Sequence, residues 1–427
     1  MTDMRFRETL MVMLLTGLTL CFTAAAVQAE GPFKLKPGAK GKLCLTCHTA
    51  FGAKMKAKHI HTPLAQGDCS GCHNPHASNH GMLLAGDADS ICYNCHDSVI
   101  TEAAKSTHQV VAEGQCVSCH DPHSSANPAN LVKGGSELCF GCHAELGQKI
   151  TTAKFGHAPV KKDCLTCHSP HASEQSISLL NSQQPGLCLD CHKATSGSFK
   201  KQHMNYPVEQ GRCTSCHDPH GSNSGAMLAD NVHEPIKKAM CNQCHNEADA
   251  AQPFDLKKTS FELCQGCHYD MINESFGRNR LHWPLVDETG CINCHTPHAS
   301  SQPGLLRGKM ADVCGSCHAD TLARQERSQT GHQPISDGEC TACHSPHASD
   351  NLFLQQQAST IDTCAQCHDW QAHSTHPIGV EVIDPRNSNL SLDCLSCHRT
   401  HGTEYKNFLY YPDTQSLCVQ CHTKYRR

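Results

Sequence analysis

The sequence predicts a chain that is mostly irregular, with short α-helices, almost no β-sheet and an internal repeat of about fifty residues. Three observations predict it: too little apolar mass for a core, one cysteine motif recurring along the chain, and histidines that return with the same period. The 427 residues include 33 Cys and 34 His, while hydrophobic residues reach 38% and aromatics only 5%. Length alone suggests about three domains, yet 12 Phe, 7 Tyr and 2 Trp are few for a core of that size. Cysteine this dense marks small disulfide-stapled scaffolds, and the chain is far too long for that class. An ordinary cytosolic enzyme is a poor fit. Lys+Arg 35 against Asp+Glu 40 gives a net charge of −5 with no long run of one sign, so no basic nucleic-acid face is present.

The first 29 residues read as a signal peptide. Arg5 and Arg7 precede an apolar run from Leu10 to Val27, which ends at Val27-Gln28-Ala29 before Glu30. The competing reading is an uncleaved anchor, because the run approaches spanning length. Cys21 follows Leu20 rather than a small residue, which argues against a lipoprotein signal. The expected mature chain is exported and about 398 residues long.

Without Cys21, the cysteines fall into sixteen Cys-x-x-Cys pairs. The first eight are Cys44 and Cys47, Cys69 and Cys72, Cys92 and Cys95, Cys116 and Cys119, Cys139 and Cys142, Cys164 and Cys167, Cys188 and Cys191, Cys213 and Cys216. The second eight are Cys241 and Cys244, Cys264 and Cys267, Cys291 and Cys294, Cys314 and Cys317, Cys340 and Cys343, Cys364 and Cys367, Cys394 and Cys397, Cys418 and Cys421. A histidine follows every pair: His48, His73, His96, His120, His143, His168, His192, His217, His245, His268, His295, His318, His344, His368, His398 and His422. Cys-x-x-Cys-His is the attachment site of c-type haem: two thiols form thioethers and the adjacent imidazole becomes the proximal iron ligand. Zinc ribbons, thioredoxin-like pairs and plain disulfides do not require that histidine. Sixteen covalently attached c-type haems are therefore expected.

Seven motifs continue into x-Pro-His or a relative, placing His76, His123, His171, His220, His298, His347 and His401 three residues after a proximal histidine. A small residue, Ser or Thr, and usually an apolar pair such as Leu83-Leu84 or Leu305-Leu306 follow. Segments of helix-like composition, Asp97 to Thr107 or Asp320 to Gln329, come after the alternate motifs. They lead to His61, His108, His157, His203, His282, His332 and His376, several in His-x-Pro, while His233 precedes Cys241. These fifteen are candidate distal ligands, with one of His59, His80 and His373 completing sixteen. A histidine three residues after a proximal one cannot reach the opposite face of the same iron, so each Pro-His is expected to serve a neighbouring haem. Methionine does not track the repeat. Counting Pro-His pairs the motifs from the N-terminus and leaves Cys241 and Cys418 standing alone. That places a boundary near Asn246 to Pro253, between a module at 30–250 with nine haem sites and one at 251–427 with seven. About 25 residues per haem cannot wrap separate pockets, so an elongated fold of two-haem repeats around a haem chain follows.

The succession His-x-Pro, Cys-x-x-Cys-His-x-Pro-His-x-Ser, Leu-Leu, Cys-x-x-Cys-His resembles the doubled-motif multihaem cytochromes. It is most similar to the periplasmic decahaem group of metal-reduction and dimethyl-sulfoxide-respiration cytochromes. The resemblance implies an electron conduit between periplasm and outer membrane or cell exterior in anaerobic or extracellular respiration. The partners it implies are redox proteins: a periplasmic or inner-membrane donor, an outer-membrane or extracellular acceptor, and a β-barrel porin sheath. Sixteen sites rather than ten depart from that group. A subunit of an extracellular cytochrome filament is one alternative, and a multihaem reductase of a nitrogen or sulfur oxyanion is another. The chain lacks the Cys-x-x-Cys-Lys common in such reductases. No catalytic residue is assigned.

Overall fold

The computed structural model describes residues 41–373 and 376–426, and side chains outside 372–375. The expected signal peptide and Cys21 lie outside the described residues. No helix among the described residues is long and apolar enough to cross a membrane.

Short helices, turns and irregular segments make up the chain, as the composition predicts. The cause is local. In fifteen motifs the proximal histidine donates its backbone N–H to the carbonyl of the first cysteine at 2.9–3.1 Å, which folds Cys-x-x-Cys-His into one helical step. The sixteenth, His268 (φ −103°, ψ 29°), stands at a kink between two helical stretches that together span Ser260–Phe276, the first started by a capping box of Thr259 and Glu262.

The motifs are of two kinds. One kind closes a short α-helix, as at Ala88–Tyr93, Met310–Gly315 and Thr360–Ala365. The other forms a 3₁₀ turn, as at Cys69–Gly71, Cys241–Gln243 and Cys340–Ala342. After each 3₁₀ motif the chain loops out and returns to bridge the proximal histidine, as in His73 to Leu84, His245 to Leu256 and His295 to Leu306. Left-handed residues carry that return, among them Met82 (φ 56°), Ala129 (φ 52°), Phe353 (φ 57°) and Asn407 (φ 55°). Each costs about 1–2 kcal/mol without a glycine, so the surrounding bonds must hold the loop. Serine does much of this. Ser78, Ser125 and Ser300 donate their hydroxyls to the carbonyls of Leu84, Leu131 and Leu306.

Two expectations are corrected. Cys241 opens a doubled unit that Cys264 completes, and Cys394 and Cys418 form another, so neither Cys241 nor Cys418 stands alone. Counting by Pro-His missed this because it took the motif that carries Pro-His as the second of each pair, whereas that 3₁₀ motif is the first. The segment Asp97 to Thr107 is turns rather than helix, whereas Asp320 to Gln329 does contain the helix Ala319–Glu326.

Short antiparallel strands join successive repeats. β1 (His59–Ile60) pairs with β3 (Ser124–Ser125) in the register His59↔Ser125 and Ile60↔Ser124. β2 (Ser106–Thr107) pairs with β4 (Ala172–Ser173), β5 (Asn231–Val232) with β7 (Ala299–Ser300), and β6 (Arg280–Leu281) with β8 (Ala348–Ser349). Each places the residues before one histidine (His61, His108, His233 or His282) beside those that follow the Pro-His of the next repeat (His123, His171, His298 or His347). Gly402 replaces alanine at one such position: its φ is +102°, and an added Cβ would stand 2.9 Å from Ser328 Cβ and 3.0 Å from the Arg324 carbonyl. A hairpin of β9 (Gly379–Asp384) and β10 (Asn387–Leu392) was not expected from the sequence. The alternation Val380-Glu381-Val382 before Asp384-Pro385 is the signal that marks it.

By contacts the chain forms two units, one of residues up to Gly147 with Lys161–Gln183, the other of Gln148–Val160 with Gln184–Arg427. Apolar burial is sparse, and one small cluster of Ala229, Val232 and Ala299 is packed by Leu228 and Ile236. Side chains alone do not close a core.

Candidate haem site

Among the described contacts, thirteen proximal histidines face a second histidine with ring centroids 5.9–6.4 Å apart. Two metal–nitrogen bonds of about 2 Å and a ring radius at each end give roughly this span. The donors therefore fit a haem iron held between two imidazoles. No group of three or more His, Cys, Asp or Glu is gathered for a metal ion among the described residues; the histidines meet two at a time.

The pairing follows two rules. A proximal histidine of a 3₁₀ motif faces the Pro-His of the next repeat: His73 with His123, His120 with His171, His245 with His298, His295 with His347, and His344 with His401. A proximal histidine of a helical motif faces the histidine that precedes its own unit: His96 with His61, His143 with His108, His192 with His157, His268 with His233, His318 with His282, His368 with His332, and His422 with His376. His217 with His203 obeys neither.

Backbone carbonyls aim these rings. In all eight 3₁₀ motifs the proximal Nδ1–H donates to a carbonyl in the returning loop at 2.7–3.2 Å, such as His73 to Met82, His295 to Gly304 and His398 to Asn407. That bond fixes the tautomer and leaves Nε2 as the lone-pair donor. On the distal side His61, His157, His233 and His282 donate Nδ1–H to the proline carbonyls of Pro122, Pro219, Pro297 and Pro346 at 2.8–3.1 Å. The backbone N–H of His61, His108, His233 and His282 donates to the carbonyl of the neighbouring Pro-His histidine at 2.9 Å. Two histidines of different pairs thus flank one strand pair. Burial lowers His123, His171, His298, His347 and His401 from the usual histidine range, favouring the neutral imidazole that a metal requires.

The cysteines also meet in order. First cysteines of consecutive motifs are hydrogen-bonded neighbours at Cys44 and Cys69, Cys92 and Cys116, Cys139 and Cys164, Cys264 and Cys291, Cys314 and Cys340, and Cys364 and Cys394. Second cysteines interact at the alternate steps, as Cys72 with Cys95, Cys244 with Cys267 and Cys343 with Cys367. Burial pushes the Cys216 thiol up to about 11, with Cys241 adding to it.

The remaining candidates are placed as follows. His59 lies on β1 with a buried Nε2 that has no hydrogen-bond partner. His80 stands 3.3 Å from Asp87, and His373 ends the 3₁₀ turn Trp370–His373. His76 donates its backbone N–H to Asn74 Oδ1 at 3.2 Å, and His220 Nδ1 lies 3.7 Å from Asp218. His48 packs against Phe51 at 6.4 Å. The aiming carbonyls were not foreseen; the Leu-Leu after Pro-His was their trace.

The family model for the doubled CXXCH motif matches residues 61–101, 108–148, 157–197, 205–232, 233–273, 282–323, 332–373 and 389–427. Its units begin with the motif kinds seen in the fold, and 205–232 holds only one motif. Over 100 residues the chain is 28% identical to the multiheme cytochrome MtrA of Shewanella baltica, covering 22% of this chain and 27% of that protein. The chain thus spans about a quarter of the relative's length. With matches over well more than half of its length, the chain belongs to the doubled-CXXCH family of multihaem c-type cytochromes, proteins that attach haem covalently and transfer electrons.

Proposed function

We propose that the chain is an electron conduit with sixteen haem sites, each held between two histidines, and that electrons move along it in motif order. The alternation of imidazole pairs at 5.9–6.4 Å with neighbouring cysteines from consecutive motifs carries this reading. Neighbouring thioether anchors bring neighbouring macrocycle edges together, and electron tunnelling falls steeply with that gap. The cofactor supplies the one-electron chemistry; the protein supplies spacing, ligation and burial. Two imidazoles per iron leave no position for a substrate, and without the methionine ligand a low potential follows. Residues 1–29 direct export, so the conduit works in the periplasm or at the outer membrane, between a redox donor and an acceptor there. A β-barrel porin is the sheath proposed for it, as in the group it resembles.

Intact mass of the mature holoprotein is expected to show sixteen added haems, and dithionite is expected to reduce all of them in rapid mixing. A count clearly below sixteen, or turnover of a nitrogen or sulfur oxyanion at a high-spin haem, refutes the conduit reading. Purification from the native membrane distinguishes a porin partner from a filament.

A further inference from the structure

The register of the repeat breaks between Cys213 and Cys241, and two histidines lose their regular partners there. His217 would face the Pro-His of the next repeat, but Asn246-Glu247-Ala248 stands in that place. His203 would serve the second motif of its own unit, and that unit has none. The structure brings the two together at 6.2 Å with ring planes crossed at 63°. Among the other pairs described, eleven have planes within 5–42°, and His376 with His422, at 77°, is also crossed.

The seat of His203 is built differently from the rest. It caps the C-terminus of the helix Gly197–Gln202, and its Nδ1–H donates to the Phe199 carbonyl at 2.8 Å rather than to a proline carbonyl of another repeat. Left-handed Met204 (φ 53°) and Asn205 (φ 61°) turn the chain back. Buried Tyr206 then donates its hydroxyl to the Asn246 carbonyl at 2.6 Å, tying this seat to the site where Pro-His is missing.

We propose that Cys213, Cys216, His217 and His203 form a self-contained haem site whose crossed imidazoles make it a redox and spectroscopic outlier in the series. This rests on the two-histidine reading above. Both axial ligands come from within 14 residues, so this site does not depend on the next repeat for its distal ligand. Crossed imidazole planes leave the two iron orbitals that meet them nearly equal in energy. Ferric haem then gives a large-g resonance in place of the rhombic spectrum of parallel planes, and its potential rises.

The test is electron paramagnetic resonance on the oxidised full-length holoprotein, with haem content of each variant checked by mass. His203→Gly is expected to remove one haem's share of the large-g intensity, create a high-spin signal of one haem, and regain low spin with added imidazole. His376→Gly should remove a second, equal share. An unchanged large-g signal in His203→Gly, without a high-spin haem, overturns the proposal. His282→Gly, from a near-parallel pair, should create one high-spin haem and leave the large-g signal intact. If it creates none, the two-histidine reading fails, and the inference with it.

Discussion

Replacing His347 by methionine tests the pairing rule where it is least intuitive. His347 lies three residues after the proximal His344, yet its ring faces His295 at 6.1 Å while His344 faces His401 at 5.9 Å. The thioether should therefore alter the haem of Cys291 and Cys294, not the one beside it in sequence. Methionine withdraws density from iron relative to imidazole; the ligand-dependent range spans about 0.8 V, so a rise on the order of 0.1 V in one haem is expected. The assay is a potentiometric titration followed at the red methionine-to-iron band. Cys291→Ala with Cys294→Ala should abolish that band in the His347→Met background. Cys340→Ala with Cys343→Ala should leave it. The opposite pattern would show that His347 serves its own motif and would refute the cross-repeat rule.

Three further outcomes follow from local geometry. Ser300→Ala removes a hydroxyl that donates to Leu306 O and accepts from Gln302 N at 2.9 Å; it should cost about 1–3 kcal/mol in denaturant unfolding followed by Soret circular dichroism. Gly402→Ala should cost about 1–3 kcal/mol in the same assay, whereas Ala299→Gly, in the equivalent place, should cost under about 1 kcal/mol. Arg386 hydrogen-bonded to Asp384 holds that carboxyl at about 2, below its ordinary 3.8. Because the folded value is the lower one, the stabilisation is full above pH 4 and disappears as pH falls through about 2. It amounts to on the order of 2 kcal/mol. Asp384→Asn should remove this acid dependence in the hairpin, read by amide exchange between pH 2 and 5; an unchanged profile would sink the assignment.

The covalent chemistry was legible because it is local: Cys-x-x-Cys-His needs only one helical step, and His48 through His422 all display the motif in the sequence. That Pro-His faces a histidine of another motif rather than its own was legible too, from the reach of three residues. Its target was not. The partner of His123 depends on a strand pair, β1 with β3, only two residues long, whose register no periodicity announces. The aiming carbonyls were hidden for a related reason, since Met82, Ala129 and Phe353 share a left-handed backbone but no side-chain chemistry. The phase of the doubling was misread because Pro-His follows the first motif of each unit rather than the second, and at Cys241 the loop survives where Pro-His is lost. There, backbone geometry outlasts the residues that usually mark it.

The strand pairs also explain why a chain with so little apolar mass can set its ligands accurately. A ligand carried on a free loop would lose conformational entropy on ordering, about 1–2 kcal/mol per residue. Here His61 and His123 are joined by their backbones at 2.9 Å, and the His61 ring is anchored to Pro122 at 2.9 Å. The two rings face different partners, His96 and His73. Ordering either pair therefore orders the strand that presents the other. Binding of haem at one motif should then favour the geometry of the next, and folding should spread outward from any occupied pair. Loss of a single distal ring would be felt first at its own iron and next at the iron served by the paired strand.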